Sequence, residues 1–214
     1  MARAISHVGA ARHPQLSTNP GLSLRSSCWH CGSSAVGYDQ VQLLLPFVRT
    51  VEEFVFCRQM VERAGLTENP HFQLWIMAEV PSVLMLLPEY VAAGVQGIAI
   101  GSNDLTQLML GVDREHSDMA IAFAPHHPAM LRTYRQLIMG AQQAGIPCTL
   151  CGYVATQYPE MIEVLVHWGI TAISVSPHEV EQVQNAIARA RSTPLPGLPL
   201  ASPSHSFPPD RSAP

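Results

Sequence analysis

Short apolar runs alternate with amphipathic stretches along the middle of the chain. Each run has the length of a buried strand, and the runs occupy residues 41–48, 72–80, 97–101, 147–151 and 170–175. The stretches between them repeat apolar residues every three or four positions, which is typical of helices that bury one face. The pattern predicts helices over 50–64, 81–90, 130–144, 159–167 and 179–191, and therefore five strand–helix units.

Helix boundary signals agree with this periodicity. Thr50 followed three residues later by Glu53 forms a capping box pattern. Gly65 and Gly145 follow the last periodic residue of their helices, where glycine commonly ends a helix. Pro81 stands at a first helical position, where its missing N–H does no harm. The predicted helix limits therefore have local chemical support.

The alternation also predicts the fold class, which is α/β. Strands that are apolar on both faces are typical of a parallel sheet covered by helices. Such a sheet is either an open doubly wound sheet or part of a (β/α)₈ barrel, and five units are too few to close an eight-stranded barrel. Periodicity alone leaves both architectures open.

The two ends of the chain differ from its middle. Residues 1–39 show no sustained period and are predicted to be irregular. Residues 192–214 contain seven of the eighteen prolines, which predicts a flexible tail because proline removes donors and blocks helices. The predicted folded domain is therefore 40–191.

Composition excludes several classes of function. The 214 residues are 47% apolar and 13% charged, which suits a packed core. The net charge is −4, so no nucleic-acid partner is expected. All twelve basic residues are arginines, which excludes a P-loop lysine and a Schiff-base lysine. No apolar run is long enough for a transmembrane helix and no secretory signal is evident, so we expect a cytoplasmic protein.

Four of the five cysteines form two Cys-x-x-Cys pairs. In a cytoplasmic protein reduced thiols are expected. Cys148 and Cys151 fall in a strand, where residues three apart point to opposite faces, so they are not expected to share a metal. Cys28 and Cys31 have a better loop setting for zinc, but two ligands alone make a weak site.

Polar residues collect where the predicted strands end. Ligands of parallel α/β proteins bind at the carboxyl ends of the strands. The polar residues at these ends are Arg49, Glu79, Ser102, Asn103, Asp104 and Cys151. We therefore expect one rim of the sheet to carry two carboxylates, an amide, a hydroxyl, a thiol and a guanidinium group.

Two carboxylates on this rim suggest a magnesium site. Glu79 and Asp104 follow consecutive strands, whose ends lie about 5 Å apart in a parallel sheet. Mg²⁺ is commonly held by one or two carboxylates together with waters and a phosphate. Arg49 has donors for a phosphate or carboxylate, and Cys151 is a candidate for proton transfer. The alternatives are that Glu79 pairs with an arginine and that Asp104 caps the following helix.

Specific strings resemble a known family. LLLPFVRTVEEF, MAEVPS, IGSNDLTQLMLGVDRE and the strand ending in LCG are similar to the C-terminal domain of phosphoenolpyruvate (PEP)-utilising enzymes, in particular the PEP synthase branch. The similarity covers residues 41–190 in the expected order. It implies a PEP/pyruvate-binding barrel, of which this chain resembles strands four to eight.

The resemblance also implies roles for the rim residues. By position, Glu79 and Asp104 match Mg²⁺ ligands of the family. Ser102 and Asn103 match residues that line the substrate. Cys151 matches the acid/base that acts on the carbon that is the methyl carbon in pyruvate. In the family, a phosphohistidine on a separate mobile domain delivers its phosphoryl group to enolpyruvate.

The chain also departs from the family pattern. Its first 39 residues are too few for the three preceding strand–helix units, and Tyr153 stands in a Gly-Tyr-Val-Ala-Thr-Gln string that replaces Gly-Gln-Ala-Pro-Ser-Asp. Three hypotheses follow. The chain is an incomplete PEP synthase-like domain, a non-catalytic homologue that needs a second copy or a chain supplying the missing half-barrel and phosphohistidine domain, or a gene fragment without function.

Overall fold

A single parallel sheet organises the molecule. The computed structural model describes residues 3–6, 42–113, 116 and 124–192. Its strands are β1 (Arg3–Ser6), β2 (Gln42–Leu45), β3 (Gln73–Ala78), β4 (Ile98–Gly101), β5 (Cys148–Cys151) and β6 (Ala172–Val175). They lie in the order β1-β6-β5-β4-β3-β2, and every described pair is parallel.

Helices follow each of the strands β2 to β6. They are α1 (Val51–Arg63), α2 (Pro81–Ala92), α3 (Ser102–Leu110), α4 (Pro128–Gln143), α5 (Val154–Gln157), α6 (Glu160–His167) and α7 (Val180–Ser192), with short 3₁₀ turns at Leu66–Glu68 and Pro177–Glu179. The predicted strand–helix alternation and the α/β class, a partial barrel of parallel strands, are confirmed. Sequence order is kept from β2 to β6 across the sheet, as in a barrel wall.

Local signals place the helix limits where they were predicted. The Thr50 hydroxyl accepts a hydrogen bond from the Glu53 amide at 3.2 Å, which makes Thr50 the N-cap of α1. The capping box is not reciprocal, because the Glu53 carboxylate accepts from the Arg49 amide at 2.8 Å instead of from Thr50. Gly65 follows α1 with a φ of 73°, a backbone conformation that favours glycine.

Strand β1 corrects the prediction for the N-terminal segment. Residues 1–39 were predicted to be irregular, but Arg3–Ser6 pairs in parallel with Ala172–Val175 of β6. Four residues are too few to show a period, so the strand is specified by its pairing partner rather than by its own pattern. The rest of this segment, Cys28 and Cys31, and the predicted tail from residue 193 onward lie outside the described residues.

Burial is greatest in the middle of the sheet. All four residues of β4 and of β6 are buried, whereas β3 alternates between half-buried and buried residues. The helices supply the other side of the core, where Phe54 of α1 and Tyr90 of α2 meet edge to face with ring centroids 6.3 Å apart. Within the described ranges, no helix is both long and apolar enough to span a membrane.

Candidate functional site

The register of the sheet brings three rim positions to one level. Ala78 of β3 pairs with Ile100 of β4, and Gly101 pairs with Cys151 of β5. Glu79, the residue after Ala78, therefore lies beside Gly101, which in turn lies beside Cys151. Neighbouring strands are about 4.8 Å apart. The predicted convergence of polar residues from consecutive strands is thus supported by the geometry.

Glu79 is a buried carboxylate with a defined hydrogen-bond donor. The residue is 3% exposed, and its Oε1 accepts a hydrogen bond of 2.8 Å from the backbone amide of Phe47. A side-chain Cβ at Gly101 would lie only 2.6 Å from Glu79 Oε2, so the glycine leaves the space that this oxygen occupies. One oxygen of the carboxylate therefore faces the β2–α1 loop, and the other faces β4.

Asp104 lies inside the first turn of α3. The N-cap of this helix is Gly101, so Asp104 does not occupy the N-cap position itself. A carboxylate in a first turn is nevertheless favoured by the positive end of the helix dipole. Since α3 begins directly after β4, Asp104 belongs to the same rim as Glu79.

The Cys151 thiol interacts electrostatically with both carboxylates. Its Sγ donates a hydrogen bond to the Ile100 carbonyl oxygen at 3.3 Å. Burial, followed by the charges of Glu79 and then Asp104, raises the pKa of the thiol to about 12. The thiol is therefore protonated at neutral pH. A cation bound between the two carboxylates would lower the pKa of the thiol.

Ser102 and Asn103 hold the end of β5. The buried Ser102 hydroxyl donates to the Cys151 carbonyl oxygen at 2.7 Å, and Asn103 Oδ1 accepts from the Tyr153 amide at 3.5 Å. Gly152, with a φ of 102°, packs so closely on Ser102 Oγ that a Cβ would collide with it. Both residues thus bind protein groups that fix the position of the thiol.

Arg49 lies at the edge of this region. Its guanidinium group forms an ion pair of 3.1 Å with Glu53, and its side chain is 52% exposed. The Arg49 carbonyl oxygen accepts a hydrogen bond of 2.7 Å from the Ser82 hydroxyl, at the start of α2. This bond ties the β2–α1 loop to the segment that follows Glu79.

The donor set fits a hard divalent cation. The described residues contain no cluster of three or more His, Cys, Asp or Glu side chains suited to a metal. Two carboxylates suffice for Mg²⁺, which keeps several waters and takes other oxygens from its substrate. Cys148, buried at the start of β5, is not part of the rim, and burial raises the pKa of its thiol.

Sequence reasoning missed the contribution of the β2–α1 loop. It placed Phe47 inside a strand over 41–48, but β2 ends at Leu45. The signal was Pro46, which cannot donate to a sheet ladder and is typical of strand ends. The role of Gly101 was also missed, because the space it leaves for Glu79 depends on a neighbouring strand.

Comparisons with known proteins identify the family of this chain. The sequence model of the family described as "PEP-utilising enzyme, PEP-binding domain" matches residues 30–192. The chain is 42% identical to a phosphoenolpyruvate synthase of Aeropyrum pernix over 154 residues, which is 71% of this chain and 19% of that protein. It is 32% identical to the Helicobacter pylori phosphoenolpyruvate synthase, covering 86% of this chain and 23% of that protein. The chain thus spans about a fifth of the length of these curated relatives.

Solved structures share the fold at low sequence identity. RipC from Yersinia pestis superposes with a TM-score of 0.55 at 13% identity, covering 91% of this chain and 77% of that one. A citrate lyase from Burkholderia xenovorans gives a TM-score of 0.50 at 17% identity, covering 67% of this chain and 48% of that one. These similarities concern the architecture alone.

Proposed function

Because this chain belongs to the family of PEP-utilising enzymes, through their PEP-binding domain, we propose that it binds PEP or pyruvate together with Mg²⁺ at the carboxyl ends of β3, β4 and β5. In this proposal the site serves phosphoryl transfer between a phosphohistidine and enolpyruvate. The reaction class is that of a pyruvate, water dikinase.

One observation carries the proposal. Glu79, Asp104 and Cys151 come from three consecutive strand ends, and both carboxylates act electrostatically on the same thiol. Two oxygen ligands and a proton donor are the side chains that an enolpyruvate reaction requires. Neither the ligand pair nor the thiol alone would favour this chemistry over a structural role.

Each residue then has a role at a stated atom. The carboxylates of Glu79 and Asp104 hold Mg²⁺, which when bound neutralises negative charge on the substrate oxygens. The Cys151 thiol gives the Sγ proton to the methylene carbon of the enol, and in the opposite direction the Cys151 thiolate takes a proton from the methyl group of pyruvate. Ser102 and Asn103 keep the β5 end, and with it Cys151, in place beside the substrate.

Arg49 is the proposed anchor for an anionic group of the substrate. Its present partner, Glu53, forms an exposed ion pair, and such pairs contribute at most about 1 kcal/mol. The guanidinium group can therefore exchange Glu53 for a phosphate or carboxylate at little cost. Its forked donors suit either group.

The proposed reaction also needs an ATP-binding site and a phosphohistidine. The 214-residue sequence has no lysine for a P-loop, and in this proposal another domain or chain presents the phosphohistidine. We expect the isolated chain to bind PEP without completing ATP-dependent PEP synthesis. The proposed partner is a second copy or a chain that supplies the missing half-barrel and the phosphohistidine domain, and the proposed location is the cytoplasm.

Calorimetry tests the proposal directly. PEP together with Mg²⁺ or Mn²⁺ is titrated into wild type and into the Glu79→Gln and Asp104→Asn variants. The matched control is Glu163→Gln, which removes an exposed carboxylate from α6. We expect heat from wild type and the control, and at least tenfold weaker binding by the two rim variants. Equal heats from all four proteins would contradict the proposed site.

A non-catalytic role with a partner chain is a second candidate. It is favoured by half-buried side chains on one face of the β2–β3 pair, namely Leu44, Trp75 and Met77. Light scattering during size exclusion decides whether the pure chain associates. A folded monomer that binds PEP would exclude this candidate.

A further inference from the structure

The β2–α1 loop, residues 46–50, contacts the proposed metal ligand Glu79 from outside its own strand. The Phe47 amide donates to Glu79 Oε1 at 2.8 Å, and the Ser82 hydroxyl donates to the Arg49 carbonyl oxygen at 2.7 Å. Glu79 and Ser82 flank the turn from β3 into α2. Two hydrogen bonds therefore join this loop to the segment that carries the carboxylate.

Phe47 adopts a costly backbone conformation to make its contact. Its φ is +52°, in the left-handed region that residues other than glycine, asparagine and aspartate rarely occupy. Among the described residues it is the one non-glycine residue with a positive φ. Such a conformation persists only where the surrounding structure enforces it, and it is concentrated at functional sites. Here the completely buried Val48 anchors the chain directly after Phe47.

The result is a carboxylate held on two sides. Oε1 is held by the Phe47 amide, while Oε2 lies against Gly101, where a Cβ would be 2.6 Å away. Oε2 is therefore the oxygen on the side of β4, the strand that leads into Asp104. A hydrogen bond to one oxygen restricts the orientation of the carboxylate, and the other oxygen lies on the side of the rim from which α3 and Asp104 continue.

We propose that Phe47 is a positioning residue whose backbone amide, presented by its left-handed conformation, orients the Glu79 carboxylate towards a divalent cation shared with Asp104. This inference rests on the proposed function, since it assumes that Glu79 and Asp104 hold a metal. The amide, and not the phenyl ring, is the group that acts.

Substitutions at Phe47 separate the amide from the ring. Phe47→Pro removes the N–H, and its fixed negative φ is incompatible with the loop. Phe47→Val keeps the N–H but disfavours the left-handed region, while Phe47→Asn keeps the N–H and tolerates that region. Phe56→Asn, which removes a 62% exposed phenylalanine from α1, is the matched control for loss of a ring.

The readout is the affinity for Mn²⁺ alone, measured from the electron paramagnetic resonance signal of the free ion. We expect about 10- to 100-fold weaker binding for Phe47→Pro, the range found when an outer-shell partner of a metal ligand is lost. Phe47→Val should fall between this variant and wild type. Phe47→Asn and Phe56→Asn should bind Mn²⁺ with an affinity within about threefold of wild type. Retained affinity in Phe47→Asn, which lacks the phenyl ring, would not be expected if the ring itself held the site together.

Three results would overturn the inference. Wild-type affinity in Phe47→Pro would show that the amide is dispensable. Equal losses in Phe47→Asn and Phe47→Pro, at unchanged melting temperatures, would assign the effect to the ring. If Phe47→Pro does not unfold cooperatively, Phe47→Val and Phe47→Asn decide, and equal affinities of these two would contradict the proposal.

Failure of the proposed function gives a different pattern. In that case wild type, Glu79→Gln and Asp104→Asn show the same Mn²⁺ response, whatever stands at position 47. Amide hydrogen exchange at Phe47 then tests the hydrogen bond without metal. We expect slow exchange in wild type and faster exchange in Glu79→Ala, and equal rates would contradict the positioning contact itself.

Discussion

The middle of the sheet and its β2–β3 side are built differently. Strands β4 and β6 are buried at all four positions, whereas β3 buries every second residue and β2 has no buried residue. Sheets covered on both faces read as continuous apolar runs, and one-sided cover gives alternation. The β2–β3 side therefore lacks cover on one face within the described part of the chain.

This difference matters because the candidate site draws on both regions. Ser102 follows the fully buried β4 and Cys151 ends β5, whose other three residues are buried, while Glu79 follows the half-covered β3. Glu79 is nevertheless only 3% exposed, and the loop at residues 46–50 supplies a hydrogen bond to this buried carboxylate. The packed strands thus hold the thiol directly, and the carboxylate depends on an edge loop.

The largest expected contrast is in thiol reactivity. The pKa of Cys151 is raised to about 12 by burial and then by Glu79 and Asp104, and the pKa of the half-buried Cys57 on α1 is raised by burial and then by Glu53. A rise from 9 to about 12 leaves Cys151 with about a thousandfold less thiolate at pH 8 than an ordinary thiol. Iodoacetamide labelling followed by peptide mass spectrometry should modify Cys57 well before Cys151.

The same shift gives a sign for stability against pH. Because the folded state holds the Cys151 proton more tightly than the unfolded state, the contribution of this proton to the free energy of unfolding is complete below about pH 9 and is lost as the pH rises towards about 12.

Glu79→Gln removes one of the charges that raise the pKa of Cys151 and should increase Cys151 labelling at pH 9. Unchanged labelling in this variant would show that the charge of Glu79 does not act on the Cys151 thiol.

Core truncation should distinguish the two regions of the sheet. Ile100 of β4 is completely buried and Leu44 of β2 is half-buried. Ile100→Ala should lower the free energy of unfolding in urea by about 2–5 kcal/mol. Leu44→Ala should cost about half as much or less, because less apolar surface leaves water there. Equal losses would contradict the distinction between a packed centre and a half-covered side.

Two glycines with positive φ give a smaller contrast. A Cβ at Gly152 would collide with Ser102 Oγ, whereas at Gly111, with a φ of 64°, nothing lies within 4 Å. Gly111→Ala should cost about 1 kcal/mol of backbone strain, and Gly152→Ala about 2–3 kcal/mol because steric overlap is added. Thermal unfolding measures both. Similar costs would show that the end of β5 can move away from Ser102 to accommodate the added methyl group.

The smallest effects are expected in the edge loop. Thr50→Ala removes the N-cap hydrogen bond of α1 and should cost about 1 kcal/mol. Arg49→Ala breaks an exposed ion pair and should change the free energy of unfolding by less than about 0.5 kcal/mol. If Arg49 anchors the substrate, this variant still weakens PEP binding in calorimetry. Unaltered PEP affinity would remove Arg49 from the proposed site.

Much of the fold and part of the site could be predicted from the sequence. The five predicted strands, the N-cap at Thr50 and the helix end at Gly65 depend on local periodicity and backbone preference, which the sequence carries explicitly. The common rim of Glu79, Asp104 and Cys151 followed from the rule that parallel strands end at one edge. The magnesium and substrate roles of these residues stay predictions.

Other features could not be predicted because they depend on distant partners. Strand β1 exists through pairing with β6, which is far away in the sequence. The left-handed turn at Phe47 and the close approach of Gly101 to Glu79 depend on neighbouring strands. Local preference argued against a positive φ at a phenylalanine.

By itself, the sequence determined which segments are strands and helices and which reactive side chains stand at their ends, because these depend on the spacing of residues along one chain. Only the tertiary structure decided that an amide from the β2–α1 loop contacts Glu79 and that a glycine makes room for its second oxygen. It also decided that burial, together with two carboxylates, raises the pKa of one thiol. Hydrogen bonds, steric contacts and charge interactions depend on distance in space, which is set only when the strands pair.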